Sequence, residues 1–238
     1  MNSSETGDTV REKREALLEK IRGHLTPERW EKILYHSTLR TRYVSVVLEN
    51  IYYTQNMSAV IRTSDALGIQ DLYLVGRKNN PRINAGVALG ASNWTTIIKD
   101  NRRPVEEALA DIRKRGYRLV ATLPGDSSVE LKDLDLSRGR VALMFGQEIS
   151  GLSETAVAMA DETVTIPMYG FTESFNISVS AGICLYELRK QLQESDLPWQ
   201  LSPEELFDLR YLWTRRSLKH ADMIEQEYEH QLKHPNAQ

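Results

Sequence analysis

Short apolar, β-branched runs alternate with helix-period segments along most of this chain, and that alternation constrains its fold more than any other feature. Runs at 43–48, 71–75, 117–122, 141–145 and 163–166 read as buried strands, with a weaker one at 95–98. Helical patterns separate them at 56–67, 104–115, 153–160 and 177–193. Strands that alternate with helices imply an α/β fold with a mostly parallel sheet flanked by helices on both faces. Ligands of such sheets gather beyond the carboxyl ends of the strands. The loops that matter are then 52–55, 123–127, 146–151 and 167–175.

At 238 residues with 41% apolar content, the chain can bury one core and still carry terminal extensions. The expected division is a helical extension over 1–42, a main domain over 43–194 and a second helical extension over 195–238. Residues 1–8 are polar and expected to be disordered. Helices are expected at 9–22 and at 27–37, the latter capped by Thr26 with Pro27 in its first turn. Ser202-Pro203-Glu204-Glu205 opens a charged helical run to about residue 232, and 195–201, with Pro198, reads as a linker. No apolar run approaches the roughly 18 residues of a membrane span, and the N-terminus is charged, so a soluble, cytoplasmic protein with no membrane partner is expected. One cysteine, Cys184, excludes an internal disulfide framework and a multi-cysteine metal site.

The net charge of −3 argues against a nucleic-acid partner, because phosphate contacts need Lys and Arg. Its distribution argues the other way. Between residues 9 and 42 lie nine basic residues, Arg29, Arg40 and Arg42 among them, against five glutamates, a balance of 9 − 5 = +4. The stretch from Arg210 to His220 adds Arg210, Arg215, Arg216 and Lys219 and no acid. Both ends are basic, as solvated helix faces or as contacts to RNA.

Three segments carry the chemistry. In Asn56-Met-Ser-Ala-Val-Ile-Arg62, Asn56 stands where a short polar side chain would cap a helix. Met57, Val60, Ile61 and Ser64 would face the core, leaving Ser58, Ala59, Arg62 and Asp65 on another face. Arg62 there is either one half of a surface pair with Asp65 or a functional cation. In Phe145-Gly-Gln-Glu-Ile-Ser-Gly151, Gly146 follows an apolar strand, where a missing side chain lets a ligand approach the backbone, and Glu148 follows in the loop. In the third segment, 166–180, Pro167 and Gly170 break the chain before Ser174-Phe175-Asn176-Ile-Ser178 starts a helix with polar caps. Ile177, Ala181, Cys184, Leu185, Leu188 and Leu192 form one apolar stripe, so Cys184 reads as an inert buried thiol. No Gly-x-Gly-x-x-Gly follows the first strand, which disfavours a Rossmann-type nucleotide site.

In order and spacing these three segments resemble the three motifs of the SpoU/TrmH branch of the SPOUT RNA methyltransferases, across about residues 43–190. The resemblance implies methyl transfer from S-adenosylmethionine, with S-adenosylhomocysteine as product, to a ribose 2′-hydroxyl of RNA. It also implies a C-terminal trefoil knot, a rare exception to ordinary topology that no periodicity could reveal, and a homodimer that binds RNA across both subunits. Carried over residue by residue, Arg62, Glu148, Ser174, Asn176 and Asn56 would be catalytic. Ala121, Thr122, Leu123, Gly146, Ile166, Met168 and Phe175 would enclose the cofactor, with no metal, and Arg29, Arg40, Arg42, Arg215, Arg216 and Lys219 would contact RNA. Many relatives have Asp-Pro-His or Lys-Pro-His before the motif-one asparagine, where this chain reads Tyr53-Thr54-Gln55. Helical extensions at both ends look like the TrmH type, which methylates a D-loop guanosine of tRNA. The alternatives are ribosomal RNA, an anticodon-loop nucleotide of tRNA, and a non-catalytic RNA-binding protein on the same fold.

Overall fold

The computed structural model describes residues 4–76, 83–100, 102–125 and 128–233, which fall into two compact units, 40–200 and the two chain ends together, up to Leu39 and from Leu201. The larger unit is built on seven strands: β1 Val44–Glu49, β2 Asp71–Val75, β3 Thr96–Asp100, β4 Arg118–Thr122, β5 Val129–Glu130, β6 Val141–Phe145 and β7 Glu162–Thr165. They form one sheet in the order β3-β2-β1-β6-β4-β7-β5, and every pairing is parallel. β6 therefore enters between β1 and β4, with Leu48 opposite Phe145 and Ala121 opposite Met144. That register brings the loops after β1, β4 and β6 to the same end of the sheet.

Both faces of the sheet are covered, which is why the strands read as unbroken apolar runs. Val44, Val46 and Leu48 point to one side, into a cluster with Met57, Val60 and Ile61 of α3 (Thr54–Ala66) and Ile177, Ala181, Cys184, Leu185 and Leu188 of α7 (Ile177–Gln193). Val47, Tyr73, Ala121, Ala142 and Met144 point to the other, against Ala108, Leu109 and Ile112 of α5 (Val105–Lys114) and Ala156 of α6 (Glu154–Ala158). The apolar stripe of α7 is buried along its whole length. The expected linker 195–201 is packed rather than loose: Leu197 and Trp199 lie against the first cluster, and Thr41 Oγ1 donates to the Trp199 carbonyl at 2.6 Å. The two-residue β5 and the single-turn α4 (Ala85–Ala88) were not expected, being too short for a periodic signal.

The smaller unit contains α1 (Ser4–Arg22), α2 (Pro27–Thr38), α8 (Pro203–Arg216) and α9 (Ala221–Lys233). Thr26 caps α2, and Ser202 with Glu205 forms a reciprocal capping box on α8. Two expectations need correction. Residues 4–8 are helical, not disordered, with no proline among them to interrupt α1; positions 1–3 lie outside the described residues. The C-terminal run is two helices: α8 ends at Arg216, with Ser217 at its cap position, and α9 starts at Ala221. Among the described residues, no helix is long and apolar enough to cross a membrane.

Candidate active site

A cavity of about 590 Å³ opens at the carboxyl end of the sheet, walled by 122–124, 145–152 and 164–176 from the ends of β4, β6 and β7, with Thr122 opposite Val164, and by the first turns of α7. Its start is set by Gly146. A Cβ there would come within 2.0 Å of the Gly151 carbonyl carbon and the Leu152 nitrogen. The space on the side where a side chain would stand is thus taken by the chain itself, while Gly146 also borders the cavity. Gln147 and Gly151 close the loop with a pair of backbone hydrogen bonds, both 2.9 Å, and Gly151 turns it at φ +67°. Glu49, 2% exposed at the end of β1, accepts from Ser153 N at 2.9 Å and fixes where this loop runs into α6.

Glu148 projects from the loop into a nest of donors. Its two oxygens accept from Asn56 Nδ2 at 2.9 Å, Tyr52 N at 3.1 Å and Tyr53 N at 3.3 Å. Burial pushes its carboxyl up, but the Asn56 amide and the backbone N–H groups outweigh that and hold it below its ordinary value. Asn56 in turn accepts from Asn176 Nδ2 at 3.2 Å, and Asn176 Oδ1 caps α7 by accepting from Ser178 N at 2.8 Å. A chain Glu148–Asn56–Asn176 therefore ties the loop after β6 to the starts of α3 and α7. Asn56 does not cap α3. That helix begins at Thr54, with Tyr53 at its cap position, and the Asn56 side chain is committed to the network.

Of the cofactor candidates, Thr122, Leu123, Gly146, Ile166, Met168 and Phe175 line the cavity, while Ala121 is fully buried in β4 beneath it. Glu148, Ser174 and Asn176 line it too. Arg62 does not. It is exposed on α3, and among the described residues it makes no ion pair or hydrogen bond; Asp65, its expected surface partner, is held by Arg40. Ser58, expected on an outer face, is buried because its hydroxyl is satisfied twice, donating to Thr54 O at 2.6 Å and accepting from Asn84 N at 2.8 Å. Sequence reasoning missed Pro124, Gln147, Glu173 and Ser180 on the cavity wall, whose only signal was their place in or next to the expected loops. Cys184 reaches the wall from the buried stripe; burial pushes its thiol up to about 12.

The basic candidates differ in availability. Arg40 is 6% exposed and paired with Asp65, Arg42 is paired with Asp71, and Arg215 with Asp222 and Glu225. Arg29, Arg216 and Lys219 are exposed. Among the described residues, no group of three or more His, Cys, Asp and Glu side chains could hold a metal ion.

Residues 43–186 match the SpoU rRNA Methylase family model. A tRNA (guanosine(18)-2′-O)-methyltransferase of Borreliella burgdorferi is 38% identical over 197 residues, covering 83% of this chain and 88% of that protein. The crystal structure of the A. aeolicus TrmH/SpoU tRNA modifying enzyme superposes with a TM-score of 0.72 at 32% identity, over 80% of this chain and 97% of that one. An AdoMet-bound rRNA methyltransferase from Sinorhizobium meliloti is similar at 28% identity and a TM-score of 0.57, over 67% and 60% of the two chains.

Proposed function

The chain belongs to the SpoU rRNA methylase family, and from that premise we propose that it is an S-adenosylmethionine-dependent RNA ribose 2′-O-methyltransferase acting on a D-loop guanosine of tRNA. The observation that carries this reading is the Glu148–Asn56–Asn176 chain at the edge of the 590 Å³ cavity. The cavity has the size and mixed lining of a small-molecule site. Leu123, Ile166, Met168 and Phe175 offer apolar surface to an adenine ring, and Thr122, Ser174 and the loop from Gly146 offer polar groups to a ribose and an amino acid.

S-adenosylmethionine supplies an electrophilic sulfonium methyl, so the protein's task is to orient a ribose hydroxyl and stabilise the oxygen as its proton leaves. Asn176 and Ser174 serve as orienting groups, and Glu148 holds Asn56 and Asn176 in place through hydrogen bonds that cost little reorganisation during reaction. Arg62, exposed and without an ion pair among the described residues, is the cation for the developing oxyanion. A guanidinium stays protonated, so electrostatic stabilisation fits it better than proton abstraction.

The knot belongs to this proposal, as do cytoplasmic action and a division of labour in which 43–194 is the methyltransferase domain and the helical ends hold tRNA through exposed cations such as Arg29, Arg216 and Lys219. So does the homodimer. Its support is the outer side of α7, where Val179, Ile183 and Tyr186 are exposed at helical spacing, with Tyr169 and Val129 also exposed, around a second cavity of about 510 Å³ lined by Ile183, Tyr186 and Tyr169. The test is transfer of labelled methyl from S-adenosylmethionine to unfractionated tRNA by wild type and Arg62→Ala, followed by nucleoside analysis. 2′-O-methylguanosine with wild type alone supports reaction and site. Label in ribosomal RNA instead keeps the chemistry and overturns the substrate, and no label in either leaves a binding protein.

A further inference from the structure

Resting on the RNA-methylation reading above, we propose that Tyr52 and Tyr53 form a stacking platform for a nucleobase of the substrate RNA next to the methylated ribose. The two rings are 59% and 50% exposed and meet edge to face, with centroids 5.0 Å apart and planes at 85°. Neither ring lines the cofactor cavity. Their backbone N–H groups are both held by the Glu148 carboxylate, so the residue that organises Asn56 also fixes where the rings stand. An exposed aromatic side chain on a pinned backbone loses little further freedom on binding, which is what a stacking surface requires.

Position favours a base over a protein surface. The platform lies three and four residues before Asn56, and a ribose held at the Asn56–Asn176 pair brings its own base and its neighbours' bases within reach of it. Along the chain the rings are flanked by Ile51, 3% exposed, and by the polar Thr54 and Gln55. A pair of exposed rings on so short a segment suits a planar ligand. RNA-binding proteins read unstacked bases by such aromatic stacking, which tolerates sequence because every base has a π-face.

The test compares full-length wild type, Tyr52→Ala/Tyr53→Ala and Tyr52→Phe/Tyr53→Phe, with a tRNA substrate and with the same RNA made abasic in turn at the target nucleotide and at its two neighbours. The alanine pair is expected to raise the KM for RNA on the order of ten-fold or more, with the KM for S-adenosylmethionine and the thermal midpoint unchanged and with recovery in the phenylalanine pair. One abasic RNA should weaken wild type by a similar factor and the alanine pair hardly at all. An unchanged RNA KM, or equal losses on normal and abasic RNA, overturns the platform. So does a fall in sedimentation coefficient in the alanine pair, which would assign the rings to self-association. Wild type that labels no RNA overturns the functional reading and the platform with it, whereas labelling with an indifferent alanine pair overturns the platform alone.

Discussion

Glu148 and Asn56, 92 positions apart, are joined by a 2.9 Å hydrogen bond, and the same carboxylate takes the backbone N–H groups of Tyr52 and Tyr53. The negative charge so held stands at the N-terminus of α3, where the helix dipole favours it. Three donors converge on one acceptor, which only an ionised carboxylate satisfies fully.

Glu148→Gln tests that arrangement. Its amide offers one acceptor oxygen and turns an NH₂ toward donors, so at least one of the three bonds is lost. Bonds to charged groups contribute about 1.5–3 kcal/mol each, and methyl transfer is expected to fall roughly ten- to a hundred-fold in kcat/KM with the fold intact by circular dichroism.

The same carboxyl predicts a pH effect. Its folded pKa lies below its unfolded one, so its stabilisation is present above the ordinary value of 4.5 and is lost as pH falls through the lowered folded value. The gap in thermal midpoint between wild type and Glu148→Gln should therefore be constant from neutral pH down to about 4.5 and close below it. Melting curves of both proteins across that range check this.

Gly146→Ala places a methyl carbon 2.0 Å from backbone atoms of Gly151 and Leu152, which cannot yield as a side chain can. The loop must open. Overpacking of this kind destabilises by about 1–3 kcal/mol, and S-adenosylmethionine binding by calorimetry should weaken far more than after Ile149→Ala, whose side chain on the same loop is 86% exposed.

What could be read from the sequence follows from what is local. The limits of α7 coincide with its apolar stripe, and β2 and β6 end where their β-branched runs end, because periodicity reports burial directly. Glu148, Asn56 and Asn176 were nameable, but not their connections. Glu148 meets donors from residues more than 90 positions away, two of them backbone groups with no side-chain signature. For Gly146 the sequence offered one reason of two, since only the folded loop reveals that Gly151 and Leu152 fill the space a side chain would take. The break between α8 and α9 falls at 217–220, where neither proline nor glycine marks a stop.

Cys184 is fully buried although it borders the cavity, and burial pushes its thiol up to about 12. A thiolate is the reactive form, so the folded protein should resist a thiol reagent at neutral pH and react fully once unfolded in denaturant. Cys184→Ala is expected to keep the pH dependence of methyl transfer, with stability lower by about 1 kcal/mol for the atom removed from the stripe.

α3 carries within one turn one half of a structural ion pair and the cation proposed for the chemistry. Asp65 is bound to Arg40, whose side chain is 7% exposed, and Asp65→Asn leaves that guanidinium without its counter-charge; breaking such a pair destabilises by up to about 3–5 kcal/mol. Since Asp65 is itself 26% exposed, water offsets part of this, and about 1–3 kcal/mol is expected from denaturant unfolding. Arg62, exposed and without an ion pair among the described residues, should give the opposite pattern: Arg62→Ala within about 0.5 kcal/mol of wild type in stability, yet with methyl transfer reduced at least a hundred-fold, the order found when a donor to a developing oxyanion is removed. Arg62→Lys should recover little, because a point charge does not reproduce the planar fork of a guanidinium. Recovery of most activity by lysine would mean that Arg62 acts through charge alone, and loss of stability in Arg62→Ala would mean that it belongs to the scaffold.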